Sequence, residues 1–260
     1  MSTDRAIWPE SLFIVRHGES SGNVARDEAN AAHALTIGTT TRDVDVPLSD
    51  LGVQQATALG HWFAALPADE KPTVVISSPY VRARQTTDII RSLASFEYAS
   101  EAASLVVDER FREKEFGILD GLTRYGIQDR FPEQAAFRAS LGKFYHRPPG
   151  GESWCDVILR LRSAFEMMCR EYHGERVLVV AHSVVVLCMR YIVEDLTEAE
   201  ILEIDRESEV ANCSVTRYDV DPSLGTVGKL ALDSYNFVAP LKAEGAPVTS
   251  SPDTPAATHN

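Results

Sequence analysis

No stretch of this chain approaches the roughly 18 consecutive apolar residues that a membrane-crossing helix needs. The first ten residues, with Asp4 and Glu10, lack the basic start and apolar core of a secretory signal. A cytoplasmic protein is the expectation. Positive charge is scarce as well: 25 Lys and Arg stand against 38 Asp and Glu, a formal net charge of -13. That balance excludes the basic footprint by which nucleic acid or an anionic membrane surface is held. It also means that a site for a phosphorylated ligand must be a local basic pocket in an otherwise repelling field. Cysteine is sparse, and Cys155, Cys169, Cys188 and Cys213 form no Cys-x-x-Cys pair. Neither a zinc knuckle nor a disulfide framework is indicated, and reduced, core-filling thiols are expected.

The sequence does contain a series of short apolar runs that end abruptly in polar residues. Leu12–Val15, Thr73–Ser77, Leu105–Val107 and Val177–Ala181 read as buried strands alternating with helical patterns, which is the signature of an α/β fold with a mostly parallel sheet. Ser49 caps a helix whose apolar stripe is Val53, Ala56, Leu59, Trp62 and Phe63, and a second helical stripe runs through Val157, Leu161, Phe165 and Met168. Residues 212–218 and 229–232 read as a late hairpin at the sheet edge. The expected organisation is one domain over residues 1–240 with lid-like insertions at about 24–46 and 121–151. A disordered tail, rich in Pro, Ala, Thr and Ser, is expected over 241–260.

Three of the strands end in chemistry: Arg16-His17-Gly18, Ser78-Pro79 with Arg82 just beyond, and His182-Ser183. In a parallel sheet those ends share one edge, where ligands gather. Two arginines beside two histidines argue against a divalent metal and match a phosphoryl group, whose oxygens take guanidinium forks in bidentate fashion. The expected reaction is a two-step transfer. His17 takes the phosphoryl group and water removes it, while Arg16, Arg82 and His182 hold the equatorial oxygens and Asn23 adds a neutral donor. The leaving alkoxide needs a proton from a carboxylic acid, and Glu109, Glu113 and Glu115 all compete for that role. The basic and aromatic run Lys143–Arg147 suggests recognition of an anionic substrate.

With these pieces in place the chain resembles the histidine phosphatase (phosphoglycerate mutase-like) superfamily. The match runs over Arg16-His17-Gly18-Glu19-Ser20, Pro47–Gly52, Ser78–Thr86, Gly150-Gly151-Glu152-Ser153 and Val177–His182. The resemblance implies a three-layer α/β/α sandwich with an antiparallel edge, a phosphohistidine on His17, and no metal or organic cofactor. It also implies Glu113 as the acid, from the run Phe111-Arg112-Glu113-Lys114-Glu115-Phe116-Gly117. Within the superfamily, Thr123–Ser153 looks most like the fructose-2,6-bisphosphatase branch, with Tyr125, Lys143 and Gly151-Glu152-Ser153 at corresponding places. The expected substrate-binding residues are Tyr125 and Lys143 from that resemblance, Arg147 from the basic run, Asn23, and Ser183, which adds a side chain where many members have Gly. That branch has Gln and Arg where this chain has Ser183 and Leu187, so sugar-bisphosphate recognition is not carried over. A phosphomonoesterase acting on a small phosphorylated metabolite is the expected activity. A phosphoglycerate mutase-type isomerase and a non-catalytic phospho-ligand binding module are the alternatives, and a homodimer is left open.

Overall fold

The computed structural model describes residues 7–250. In chain order the elements are β1 (Ser11–Arg16), α1 (Ser21–Ala31), α2 (Asp50–Ala65), β2 (Val74–Ser77), α3 (Val81–Ala94), β3 (Val106–Val107), α4 (Arg124–Arg130), α5 (Pro132–Tyr145), α6 (Trp154–Glu171), β4 (Arg176–Ala181), α7 (Ser183–Val193), α8 (Glu198–Glu207), β5 (Val215–Asp221), β6 (Lys229–Phe237) and α9 (Ala239–Ala243). The strands form one sheet in the order β3-β2-β4-β1-β5-β6. β3, β2, β4 and β1 run parallel, while β5 pairs antiparallel with both β1 and β6. This is the expected mixed sheet with an antiparallel edge.

Because successive strand residues point to opposite faces, β1 serves two cores. Leu12 and Ile14 join Val177 and Val179 under α6, α7 and α8, around Trp154, Leu161 and Met168. Phe13 and Val15 join Leu178 and Val180 under α2 and α3, around Leu59, Phe63 and Ile90. The central strands are buried on both sides, which explains why they read as unbroken apolar runs. The helices that follow β1 and β4 cover opposite faces, so the crevice between those two neighbouring strands is a topological switch point.

The β1 edge is held by close backbone approach. A Cβ on Gly18 would lie 2.5 Å from the Gly52 carbonyl oxygen, and one on Gly52 would lie 1.9 Å from that of Glu19. Both contacts require glycine, and they lock the turn after β1 onto the start of α2, whose N-cap Ser49 also donates to the Glu19 carboxylate at 2.6 Å. The two insertions are stitched to each other: Thr36 bridges Leu122, and the Ile37 N–H donates to the Gly121 carbonyl at 3.0 Å.

Two expectations need correction. The 24–46 segment begins inside a helix, α1, whose buried residues Asn23, Arg26 and Ala29 make no apolar stripe. The tail expected to be disordered from 241 is ordered to 250. Leu241 and Ala246 are buried in the α2–α3 core, and Gln55 donates to the Pro247 carbonyl at 2.9 Å and to the Thr249 hydroxyl at 3.0 Å. Two apolar anchors and a few hydrogen bonds suffice where the surroundings are already folded. The remainder of the expected tail, 251–260, lies outside the described residues.

Candidate active site

The strand ends deliver the expected groups to one place. The His17 N–H bonds the Ala181 carbonyl at 2.9 Å and the Ser78 N–H bonds Val180 at 3.0 Å, tying the ends of β1, β4 and β2 together. The His17 and His182 rings lie 5.1 Å apart, and Tyr80 stands edge-on to His182 at 5.0 Å. All three side chains are buried.

The partners of His17 fix its tautomer. Nδ1 lies 2.6 Å from the Gly18 carbonyl oxygen, which can only accept, so Nδ1 carries the proton. The Arg82 Nε–H, which can only donate, points at His17 Nε2 at 3.2 Å. Nε2 is therefore the unprotonated ring nitrogen, its lone pair directed toward Arg82. The backbone carbonyl of His17 is held in turn by the Asn212 side-chain amide at 3.0 Å.

Arg16 is wholly buried, with Nη1 donating to the Val210 carbonyl at 2.6 Å, and Arg82 projects from the first turn of α3 with its guanidinium 4.8 Å from the Tyr80 ring centre. Burial first, then Glu115 and Asp43, push the Tyr80 phenol well above its ordinary range. It stays protonated and donates to Glu115 at 3.2 Å. His182 Nε2 is 2.7 Å from the Ser78 hydroxyl, and its Nδ1 is 3.9 Å from Glu113 Oε2.

Of the three candidate acids, Glu113 is the one at the histidines. Its buried carboxylate accepts the Lys114 N–H at 2.7 Å. The loop carrying it is built by the Gly-Glu-Ser segment: Glu152 receives Arg112 at 2.7 Å, Arg160 at 2.9 Å and the Glu115 N–H at 3.1 Å, and Arg160 reaches the Glu113 carbonyl at 3.3 Å. Ser153 then caps α6 in a reciprocal capping box with Asp156. The motif thus supports the Glu113 loop from behind.

Asn23 accepts from Ser20 at 2.9 Å and lines a cleft of about 220 Å³ with Arg26, Thr41, Asp43, Arg82 and Asp120. Both insertions contribute to this cleft. Ser183 starts α7 directly after His182. The Tyr125 ring lies tilted against His33, centroids 4.5 Å apart, and Arg124 donates to its hydroxyl at 2.6 Å. Lys143 and Arg147, expected to bind substrate, are held in structural ion pairs. Lys143 lies over Trp154 and pairs with Asp205 of α8, and Arg147 pairs with the capping residue Asp156 at 2.7 Å.

A second cavity is lined by basic residues that the sequence reading missed. Lys114, Arg124 and Arg138, with His146, surround a space of about 50 Å³ beside the Glu113 loop. Burial, then the neighbouring Arg138, push the Lys114 ammonium from 10.5 down to about 8. Between those two values the folded protein binds less proton than the unfolded chain, so the group costs stability below pH 8 and the cost fades as pH rises toward 10.5. Lys114→Met is therefore expected to raise the melting temperature at pH 7, with the gain over the parent vanishing by pH 10.5. A gain constant across that range would place its source elsewhere.

Two histidines and two arginines thus meet at the carboxyl edge of the sheet. The sequence model of the histidine phosphatase superfamily (branch 1) matches residues 12–233, and the chain belongs to that superfamily. It is 31% identical over 226 residues to a Caenorhabditis elegans 6-phosphofructo-2-kinase/fructose-2,6-bisphosphatase, covering 84% of this chain and 43% of that protein. It is 27% identical over 232 residues to a probable phosphoglycerate mutase GpmB of Yersinia pestis, covering 88% and 94%. The chain spans about half the length of the first relatives it matches, the bifunctional enzyme and an Arabidopsis thaliana phosphoglycerate mutase-like protein AT74. Among solved structures, Bacillus stearothermophilus YhfR superposes with a TM-score of 0.68 at 25% identity over 89% of this chain and 98% of that one. A mycobacterial glucosyl-3-phosphoglycerate phosphatase bound to inorganic phosphate shares the fold, with a TM-score of 0.65 at 23% identity, covering 88% and 99%. Among the described residues no helix is long and apolar enough to cross a membrane.

Proposed function

We propose that the chain is a metal-independent phosphomonoesterase acting on a small phosphorylated metabolite in the cytoplasm. The observation that carries this reading is the tautomer of His17: a protonated Nδ1 held by a carbonyl and an Nε2 lone pair aligned by Arg82. A histidine so arranged is a nucleophile rather than a proton donor. Nε2 attacks phosphorus, a P–N bond forms, and the ester P–O bond breaks as Glu113 gives its proton to the departing alkoxide. Water, deprotonated by the same carboxylate, then attacks the phosphohistidine and releases inorganic phosphate. Arg16, Arg82 and His182 neutralise the charge that spreads over the equatorial oxygens, which is the work a metal would otherwise do.

The relatives named as phosphoglycerate mutases favour a second reading, transfer of the phosphoryl group between hydroxyls of one substrate. One assay separates the two. Purified protein with EDTA is offered sugar phosphates, glycerate phosphates and phosphopeptides, and 3-phosphoglycerate with a bisphosphoglycerate primer. Release of inorganic phosphate from a small phosphomonoester, undiminished by EDTA, is the expected result. Product isomers without phosphate release would give the mutase reading, and loss of turnover on chelation would remove the metal-free mechanism.

A further inference from the structure

Arg82 is gripped from two directions. Its Nε–H points at His17, while its terminal nitrogens both go to Asp43: Nη1 donates to the Asp43 backbone carbonyl at 2.6 Å and Nη2 to its carboxylate at 3.1 Å. An arginine fork has two edges able to hold an oxyanion. The end edge presents one N–H from each terminal nitrogen, and the side edge presents the Nε–H with an N–H of Nη2. Asp43 occupies the end edge, which leaves the side edge directed at the His17 ring, where a phosphoryl group on Nε2 would sit.

Asp43 is itself fixed in place. It opens a short turn, Asp43–Asp45, closed by the Arg42–Asp45 ion pair at 2.7 Å. Just beyond that turn the chain is pinned on both sides, with the Leu48 N–H bonded to Gln85 of α3 at 2.8 Å and the Ser21 N–H to the Pro47 carbonyl at 3.0 Å. The Arg82 side chain is 3% exposed and that of Asp43 39%, so the ion pair gives a buried guanidinium a counter-charge and an orientation before substrate arrives.

We infer that Asp43 is a positioning residue for phosphoryl transfer: the 24–46 insertion reaches into the site and holds Arg82 by its end edge, so that its side edge faces the nucleophile. The inference rests on the phosphomonoesterase reading and adds to it a part for the insertion beyond covering the cleft. Because Asp43 would act through Arg82, its effect should appear on the phosphoryl group and not on the leaving group.

The test compares the parent with Asp43→Ala and Asp43→Asn, using p-nitrophenyl phosphate, an alkyl phosphate, and orthovanadate binding by calorimetry. Asp43→Ala is expected to lower kcat/KM by about 10- to 100-fold, the scale of misplacing a catalytic group without removing it. The loss should be the same on both esters and matched by a similar loss of orthovanadate affinity. Asp43→Asn, whose amide oxygen can still accept from Nη2, should recover most of both, and thermal denaturation should separate these effects from misfolding. Unchanged kinetics in both variants, or a loss confined to the alkyl ester, would overturn the assignment. Tighter orthovanadate binding by either variant would also overturn it, by making Asp43 a competitor for Arg82. If the parent neither hydrolyses a phosphomonoester nor binds orthovanadate, the phosphomonoesterase reading fails and this assignment with it. An active parent indifferent to Asp43 sinks the assignment alone.

Discussion

His17→Ala is expected to abolish phosphate release, with kcat down by about 10³-fold or more, as when a nucleophile is removed from a site that still binds its substrate. Several features make this the largest effect available. The imidazole is the proposed nucleophile, its Nδ1 proton held by the Gly18 carbonyl and its Nε2 aligned by Arg82, and the nearest candidates are already engaged. His182 is tied at Nε2 to Ser78, and Glu113 receives the Lys114 N–H. The substitution also removes the acceptor that aligns Arg82 Nε, so binding of orthovanadate should weaken together with turnover. The backbone contacts of residue 17, to Ala181, Asn212 and Cys213, use only its N–H and carbonyl and survive in alanine. The variant should therefore fold, and circular dichroism with a thermal scan would establish that. Radiolabel from a phosphorylated substrate, trapped on the parent under acid-free denaturation, should be missing from the variant. Turnover within a few-fold of the parent would exclude His17 as nucleophile.

The parts of this site legible in the sequence are those built from strand ends. Leu12–Val15 and Val177–Ala181 are buried on both faces, so they are written as continuous apolar runs, and the polar residues that end them mark the sheet edge without reference to the rest of the chain. The helix Trp154–Glu171 was legible for a similar local reason, the regular apolar spacing of Val157, Leu161, Phe165 and Met168. Groups whose role depends on a distant partner were not. Lys143 and Lys114 are both lysines close to aromatic residues, yet one is neutralised by Asp205 on α8 while the other faces a cavity beside Arg138. Nothing in the residues around either lysine reports that difference. Asp43 lies in a polar run between two other charged residues, and only the fold places it on Arg82. Likewise α1 buries Asn23, Arg26 and Ala29 in place of an apolar stripe, so the helical period carried no hydrophobic signal for it to be read from.

Glu113→Gln separates the proton-transfer role from everything else that this carboxyl does. The amide keeps the size and the oxygen that receives the Lys114 N–H, but it has no acidic proton to give. In kcat/KM, which covers events only through the first irreversible step, the breaking of the ester bond is isolated from later hydrolysis of the phosphohistidine. An alkyl phosphate departs as a strongly basic alkoxide, and its kcat/KM should fall by about 10²- to 10⁴-fold, the usual worth of a positioned general acid. p-Nitrophenolate is a stable anion that needs almost no protonation, and its kcat/KM should fall by less than about 10-fold. The second step takes the other half of the role. Without a carboxylate to deprotonate water, the phosphohistidine should accumulate, so p-nitrophenyl phosphate should show a burst of nitrophenolate followed by a slow steady state. Glu115 is the natural control, because it lies on the same loop, half exposed, beside Arg112 and Tyr80. Glu115→Gln should leave the ratio of the two substrates where the parent has it. Equal losses on both esters in Glu113→Gln, with a normal ratio kept, would mean that the proton comes from another group and that Glu113 serves only to hold His182, 3.9 Å away.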